Sequence, residues 1–216
     1  MDVDVRLLPR EALIKSGSLD HADWNYRPIL GWLQRIRFRL AVSLLPSPTV
    51  PRMLEVGYGS GIFMPELATR CQELYGIDIH ALQEDVARIL KSHGIRARLF
   101  SCGAETMPFS KDFFDTIVGV SSLEFVQDID TAARELARVL QPHGALVMVT
   151  PGHSPLLDFG LRVLTGESAR RDYGGRRETV MPGLSRYFTI ERRRSFPISS
   201  SSKGIYGAFL LRKIPG

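Results

Sequence analysis

The stretch Met53-Leu54-Glu55-Val56-Gly57-Tyr58-Gly59-Ser60-Gly61 decides the fold of this chain. It reads as a short apolar strand carrying an acid near its end, then a tight turn, then the start of a helix. Glycines at three alternate positions let the backbone bend sharply and leave no side chains between it and a ligand. A dinucleotide-binding loop of the form G-x-G-x-x-G needs a glycine at position 62, where this chain has Ile62. The pattern here is G-x-G-x-G behind a strand-terminal glutamate. It suits a ligand without a pyrophosphate.

Working outward, Met64 to Cys71 reads as a helix and Glu73 to Ile79 as a second buried strand ending at Asp78. An acid about 20 residues beyond a glycine loop, at the end of the next strand, can accept hydrogen bonds from two ribose hydroxyls. The same aspartate also reads as a cap for the helix expected over Leu82 to Ser92. A third strand is expected over Arg96 to Phe100 and a fourth over Phe113 to Val120. The segment Ala132 to Leu140 places Ala132, Leu136, Val139 and Leu140 at helical spacing. Strands alternating with helices between residues 52 and 151 predict a mostly parallel sheet covered on both faces. Its ligand site should lie outside the carboxyl ends of the strands, where the glycine loop, Asp78, Ala104 and Ser121 converge.

Taken together and in order, these segments resemble the class I S-adenosylmethionine-dependent methyltransferases, specifically the type 11-like small-molecule methyltransferases. The resemblance implies that Glu55, Gly57, Tyr58, Gly59 and Gly61 surround the amino-acid tail of S-adenosylmethionine, and that Asp78, with Ile79 beside it, meets the ribose. Gly103-Ala104-Glu105-Thr106-Met107-Pro108-Phe109 resembles the D-A-E-x-L-P-F segment that lies along adenine. Gly103 stands where the family has its first acid, which leaves the Ala104 amide and the Glu105 side chain as the adenine-side candidates. Met107 and Phe109 read equally as apolar walls or as core. Phe113-Phe114-Asp115-Thr116-Ile117-Val118 resembles the F-D-x-V strand that closes the pocket, with Ser121 at its end. Phe125 replaces the histidine of a leucine-glutamate-histidine-valine run, so no base carries over there. Arg138 to Val147 resembles the R-x-L-K-P-G-G-x-L-V turn into a fifth strand, with His143 in a structural place.

The implied architecture is a Rossmann-like α/β fold: a mostly parallel seven-stranded sheet, helices on both faces, and a C-terminal antiparallel hairpin from Thr189 to Phe196 and Tyr206 to Lys213. A chain of 216 residues with 44% hydrophobic and 24% charged residues reads as one globular domain. Residues 1–50 form a helical lid segment, 51–151 the cofactor-binding core, and 152–216 an acceptor-side insertion with the final strands. The chain has no apolar run long enough to span a membrane and no signal-peptide pattern at its start. Cys71 and Cys102 show neither metal-ligand nor disulfide spacing. These features predict a cytoplasmic protein, with contact at a membrane surface as a further reading. No clustered carboxylates or histidines point to a metal.

The flanking segments bear on the acceptor. In a helix beginning at Pro28, Ile29, Leu33, Ile36, Leu40 and Leu44 share one face, while Trp32, Arg35 and Arg39 fall on another. That second face reads either as a solvated basic surface or as one that touches anionic lipid. Ser154 to Leu164 reads as an apolar helix stopped by Gly166, followed by Arg170, Arg171, Arg176 and Arg177. An apolar wall with a basic rim suits a small-molecule or lipid-like acceptor; a core helix and a solvated loop fit as well. The net charge of +5 raises nucleic acid as a partner, but Gly119-Val120-Ser121-Ser122 lacks the acid- or asparagine-Pro-Pro-aromatic signature. Arg192-Arg193-Arg194 should alternate between strand faces. Candidate general bases are His153, Tyr26 and Glu124. The expected activity is methyl transfer to oxygen, nitrogen or carbon; the alternative is a methyltransferase-like protein that binds cofactor or partner without turnover. A nicotinamide-dependent oxidoreductase is disfavoured by Ile62. Neither acceptor nor oligomeric state is legible.

Overall fold

Apolar runs with a period of two supply side chains to both faces of a sheet, and five such runs pair in parallel here. They are β1 (Val50–Val56), β2 (Cys71–Asp78), β3 (Ala97–Ser101), β4 (Phe114–Val120) and β5 (Leu140–Pro151). Two further strands, β6 (Phe188–Phe196) and β7 (Tyr206–Lys213), form the C-terminal hairpin. These elements come from a computed structural model of the chain, which describes residues 4–17, 20–47, 49–152, 177–197 and 204–214. The seven strands run in the order β3-β2-β1-β4-β5-β7-β6. β7 is antiparallel to β5, and β6 to β7.

Strand order reverses between β1 and β4. Leu54 pairs with Tyr75 of β2 on one side and with Ile117 of β4 on the other. The connection leaving β1 toward β2 and the one leaving β4 toward β5 therefore run in opposite directions along the sheet. The gap they open at the carboxyl ends of the strands is where such folds bind ligands.

Successive residues of each strand feed two separate cores. Met53, Leu74, Val118 and Val147 join one face, packed against α1 (Pro28–Val42), α2 (Met64–Leu67) and α3 (Gln83–Ser92). Leu54, Tyr75, Ile117 and Leu146 join the other, covered by α4 (Ile129–Val139) and α5 (Arg177–Leu184). The alternation places Glu55 on the same face as Met53, under α1. The Asp128 carboxylate caps α4, accepting from the Thr131 amide at 3.0 Å and the Thr131 hydroxyl at 2.7 Å. These bonds hold its acid below the usual carboxylate range.

Two expectations from sequence are corrected. The helix expected over Met64 to Cys71 ends at Leu67, and Cys71 already belongs to β2. The Val50 amide donates to Arg70 O at 3.0 Å, so the chain is drawn into the ladder beside β1 before the helix can continue. The turn into the fifth strand expected within Arg138 to Val147 is instead an irregularity inside β5, which already begins at Leu140: Phe114 pairs with Leu140, and Thr116 with Ala145. The hairpin lies where the sequence put it. Arg192 and Arg193 do alternate, the first donating to Leu44 O at 3.5 Å and the second lying over the Phe209 ring.

The helix expected from Pro28 forms, and Ile36, Leu40 and Leu44 are buried. Its expected basic face is not a single surface. Arg35 turns back to donate to Asn25 O at 3.0 Å and lies over the Tyr26 ring. Trp32 is exposed, with its edge against Phe196. No helix among the described residues is long and apolar enough to cross a membrane. The helix expected at Ser154 to Leu164, Gly166 and the arginines at 170, 171 and 176 lie outside the described residues.

Leu136 is fully buried between α4 and the sheet. Leu136→Ala should therefore destabilise the fold by about 2–5 kcal/mol, read as a lowered midpoint with an unchanged slope in urea denaturation.

Candidate functional site

After β1 the chain reverses through three glycines with positive φ: Gly57 at 76°, Gly59 at 52° and Gly61 at 75°. Only glycine adopts this region freely. At Gly57 the need is also steric, since an added Cβ would lie 2.4 Å from the Ser122 Cβ. The Gly59 amide donates to Asp78 Oδ2 at 2.8 Å, so the end of β2 holds the loop that follows β1. His80 holds the same residue from the other side, with Nε2 3.0 Å from Gly59 O. Its Nδ1 accepts from the Leu82 amide at 3.1 Å, which assigns the ring proton to Nε2. The Tyr58 ring is buried edge-on to His80, and burial pushes its phenol up.

This loop floors a cavity of about 610 Å³. Glu55, Gly57, Tyr58, Gly59, Asp78, Ile79, Ala104, Glu105 and Ser121, all cofactor candidates from sequence, line it; Gly61 does not. Gly61 instead faces Val86 and Leu90, where an added Cβ would press on α3 at 3.0 Å. Glu55 is only 4% exposed, and its Oε2 has no hydrogen-bond partner among the described residues. Burial, then the neighbouring Asp78, raise its acid well above the carboxylate range, and Arg37 opposes them. The hydroxyls of Ser60, Ser121 and Ser122 are likewise buried without partners among those residues.

Each oxygen of Asp78 keeps a free lone pair beside the bonds it accepts from the Gly59 and His80 amides. Ile79, beyond the end of β2, is 82% exposed and forms an apolar ledge at the rim. The Glu105 carboxylate folds back, its Oε2 only 2.6 Å from where a Cβ on Gly103 would stand. Met107 and Phe109 are core rather than wall. Met107 is buried, its amide bonded to Glu135, and Phe109 sits among the rings of Tyr75, Phe100, Phe113 and Phe114.

The N-terminal segment roofs the cavity through Ser16, Asp20, His21, Trp24, Gln34 and Arg37. Asp20 organises it, accepting from Ser16 N and Oγ and from Ala22 N. Two candidate bases are not at the cavity wall. The Tyr26 hydroxyl donates to Leu8 O, and burial raises its acid, while Glu124 is buried and accepts from the Thr150 hydroxyl at 3.1 Å. His153 lies outside the described residues. Sequence reading missed His80, Asp20, Gln34 and Arg37. The last two are spaced i, i+3 at the margin of the apolar stripe of α1, a signal that was available.

A parallel sheet with reversed strand order, and a glycine turn bonded to an acid at its switch point, defines a Rossmann-like fold. Residues 54–148 match the family model described as a methyltransferase domain. A demethylmenaquinone methyltransferase of Roseiflexus castenholzii is 35% identical over 123 residues, covering 55% of this chain and 51% of that protein. A malonyl-[acyl-carrier protein] O-methyltransferase of Halorhodospira halophila is 27% identical over 157 residues, covering 71% and 53%. The N-methyltransferase NodS from Bradyrhizobium japonicum, in complex with S-adenosylhomocysteine, superposes with a TM-score of 0.61 at 21% identity, covering 91% of this chain and 94% of that one. The chain spans about half, or less, of the length of the curated relatives it matches. Residues 54–148 are thus similar to a methyltransferase domain, and the relatives that match over this span are named as methyltransferases.

Two outcomes follow from the loop. Gly57→Ala should cost several-fold more stability than an ordinary surface change, because a positive φ and a clash with Ser122 combine; thermal unfolding checks it. For Glu55, the folded acid lies above an unfolded value near about 4.3, so between the two the native state holds the extra proton. The stability this contributes is full below the unfolded value and is lost as pH rises through the raised folded one. Glu55→Gln, which resembles the protonated form, should raise the Tm of the ligand-free protein at pH 7. That gain should vanish below about pH 4.

Proposed function

We propose that this chain transfers a methyl group from S-adenosylmethionine to the oxygen, nitrogen or carbon of a small-molecule or lipid-like acceptor. The observation that carries the reading is the joined loop. Gly59 is bonded to Asp78, and the buried Glu55 carboxylate is left unpartnered one strand away. A cofactor with a ribose and a cationic amine fits this donor set. Asp78 has lone pairs for two hydroxyls, Glu55 matches the ammonium, and the loop backbone approaches without side chains between. When bound, the cofactor supplies a methyl group already made electrophilic by its sulfonium.

What the protein adds is position and exclusion of water. Gly57 and Gly59 fix the distance of approach, and Ser16, Asp20, His21 and Trp24 line the cavity from the N-terminal side. Holding an acceptor at near-attack distance supplies much of the rate advantage without further chemistry. A base is required only where the accepting atom must lose a proton. Tyr26 and Glu124 are committed to Leu8 and Thr150, so neither is assigned that task. A cavity of about 610 Å³, with Trp24, Phe125, Val126 and Tyr206 in its lining, has the size and apolar character of a small-molecule site. The quinone substrate in the name of the Roseiflexus relative agrees with an acceptor of this kind. Cys71 and Cys102 are free thiols, which suits a reducing compartment such as the cytoplasm.

Calorimetric titration tests the reading. S-adenosylmethionine and S-adenosylhomocysteine should bind saturably and NADH should not. Asp78→Asn should weaken binding about tenfold or more, as expected when charge-assisted bonds to hydroxyls are lost. Undiminished affinity in that variant would remove Asp78 from the site.

A further inference from the structure

The cations that α1 does not gather on one face of its own are completed by β6. Trp32, 54% exposed, meets the Phe196 ring edge-on at 5.5 Å near one end of the helix. Just past the other end, Arg192 donates to Leu44 O at 3.5 Å. α1 therefore lies along the outer strand of the sheet. Arg39 stands two turns after Trp32 on the same side of the helix. Across from it, Arg192, Arg194 and Phe196 lie on the α1 side of β6, because their ladder partners Leu210, Ala208 and Tyr206 all belong to the core beneath α1. Arg193, between them, faces the other way over the Phe209 ring.

This seam is cationic with nothing of its own to neutralise it. Arg39, Arg192 and Arg194 make no ion pair among the described residues, and α1 carries no acid. Glu191, the single acid of β6, is taken by Arg212. Arg192 and Arg194 are exposed, and the buried Nε of Arg39 has no hydrogen-bond partner among the described residues. A surface shaped only for solubility intersperses both signs and keeps large apolar groups out of water. Here unpaired guanidinium groups flank a half-exposed indole. An anionic lipid surface complements both features: its phosphates meet the arginines, and the indole sits at headgroup depth.

We propose that the seam between α1 and β6 is a docking surface for an anionic lipid bilayer, with Trp32 as its anchor and Arg39, Arg192 and Arg194 on the headgroup phosphates. The surface borders the cavity. Tyr206, the ladder partner of Phe196, lines that cavity, and so does Gln34, two residues after Trp32 on α1. Docking there brings the cavity to the bilayer, where a lipid-like acceptor resides. The choice of a bilayer over another polyanion rests on the acceptor class proposed above; the charge and the exposed indole do not.

Co-sedimentation of the full chain with vesicles tests the surface. Phosphatidylcholine vesicles with about 30% phosphatidylglycerol should retain the protein at low salt and release it as ionic strength rises, whereas phosphatidylcholine alone should not retain it. Arg194→Gln should weaken binding about fivefold, and Arg192→Gln combined with it about 25-fold, as the loss of one and two surface cations predicts. Arg88→Gln, the same charge change on α3, should stay within about twofold of wild type. Acyl chains carrying bromine should quench the fluorescence of wild type, and this quenching should be lost in Trp32→Phe. Thermal unfolding of these variants should match wild type, since the side chains changed are exposed.

Absence of retention on the anionic vesicles overturns the proposal. Equal losses in Arg88→Gln and Arg194→Gln also overturn it, by reducing the effect to net charge. So does bromine quenching that persists in Trp32→Phe. A short DNA or RNA duplex that binds more tightly than the vesicles and strips the protein from them would make the seam a nucleic-acid surface instead, which overturns it as well. The proposed methyl transfer fails by a different result, absence of S-adenosylmethionine and S-adenosylhomocysteine binding in solution without vesicles.

Discussion

The hydrogen bond from the Gly59 amide to Asp78 Oδ2 is the constraint on which the rest of the site depends. It joins the loop after β1 to the end of β2, two strands whose registers are already fixed by the ladder from Val50–Cys71 to Val56–Ile77. The glycine loop therefore has little freedom to drift. Its conformation is over-determined by positive φ angles, by the Ser122 side chain beneath Gly57, and by His80 bonded to the Gly59 carbonyl. Asp78 organises the loop through one lone pair of Oδ2, and on the proposed function its other lone pairs would meet the ligand. Such preorganisation lowers the cost of ordering on binding.

Local chemistry made the loop, the strands and the acid at the end of β2 readable from sequence. Glycine spacing, period-two apolar runs and an acid at a strand end each have one dominant structural meaning. Helix ends were less legible. The shortening of α2 follows from the pairing of Val50 with Arg70, a contact between residues 20 positions apart that no local pattern announces. The roles of Tyr26 and Glu124 were hidden for the same reason. Both residue types can act as bases, but Tyr26 is drawn to the Leu8 carbonyl and Glu124 to Thr150 by packing that sequence does not display. Phe109 was ambiguous until its four aromatic neighbours placed it in the core.

The electrostatics of the cavity set stability against binding. Glu55 loses water on folding and gains no partner among the described residues, so its charged form is disfavoured in the ligand-free protein. A fold built only for stability would place an apolar residue there, as β1 does with Leu54 and Val56 on its other face. On the proposed function, a ligand ammonium would reverse this balance by restoring to the carboxylate what burial removed. The cost is then confined to the empty state, and binding energy is concentrated on the one ligand feature that relieves it.

The N-terminal segment takes part in the same arrangement because it is fastened to the loop rather than merely laid over it. The Leu8 amide donates to Ile62 O at 3.1 Å, directly after the glycine turn, and Tyr26 ties back to the carbonyl of that same Leu8. The Arg6 amide donates to Glu66 Oε2 at 3.0 Å, and Arg70 forks onto Glu66 Oε1 at 2.9 and 2.7 Å. Glu66 is buried, so these are contacts with little water to compete for them. The roof over the cavity is therefore hung from α2, the short helix that the glycine turn itself starts. Any shift of the loop must be carried into the strap that bears Ser16 and Asp20, whose oxygens lie within 4.0 Å of where a Cβ on Gly59 would stand. Floor and roof of the cavity are thus joined through the contacts of Leu8 with Ile62 and of Arg6 with Glu66.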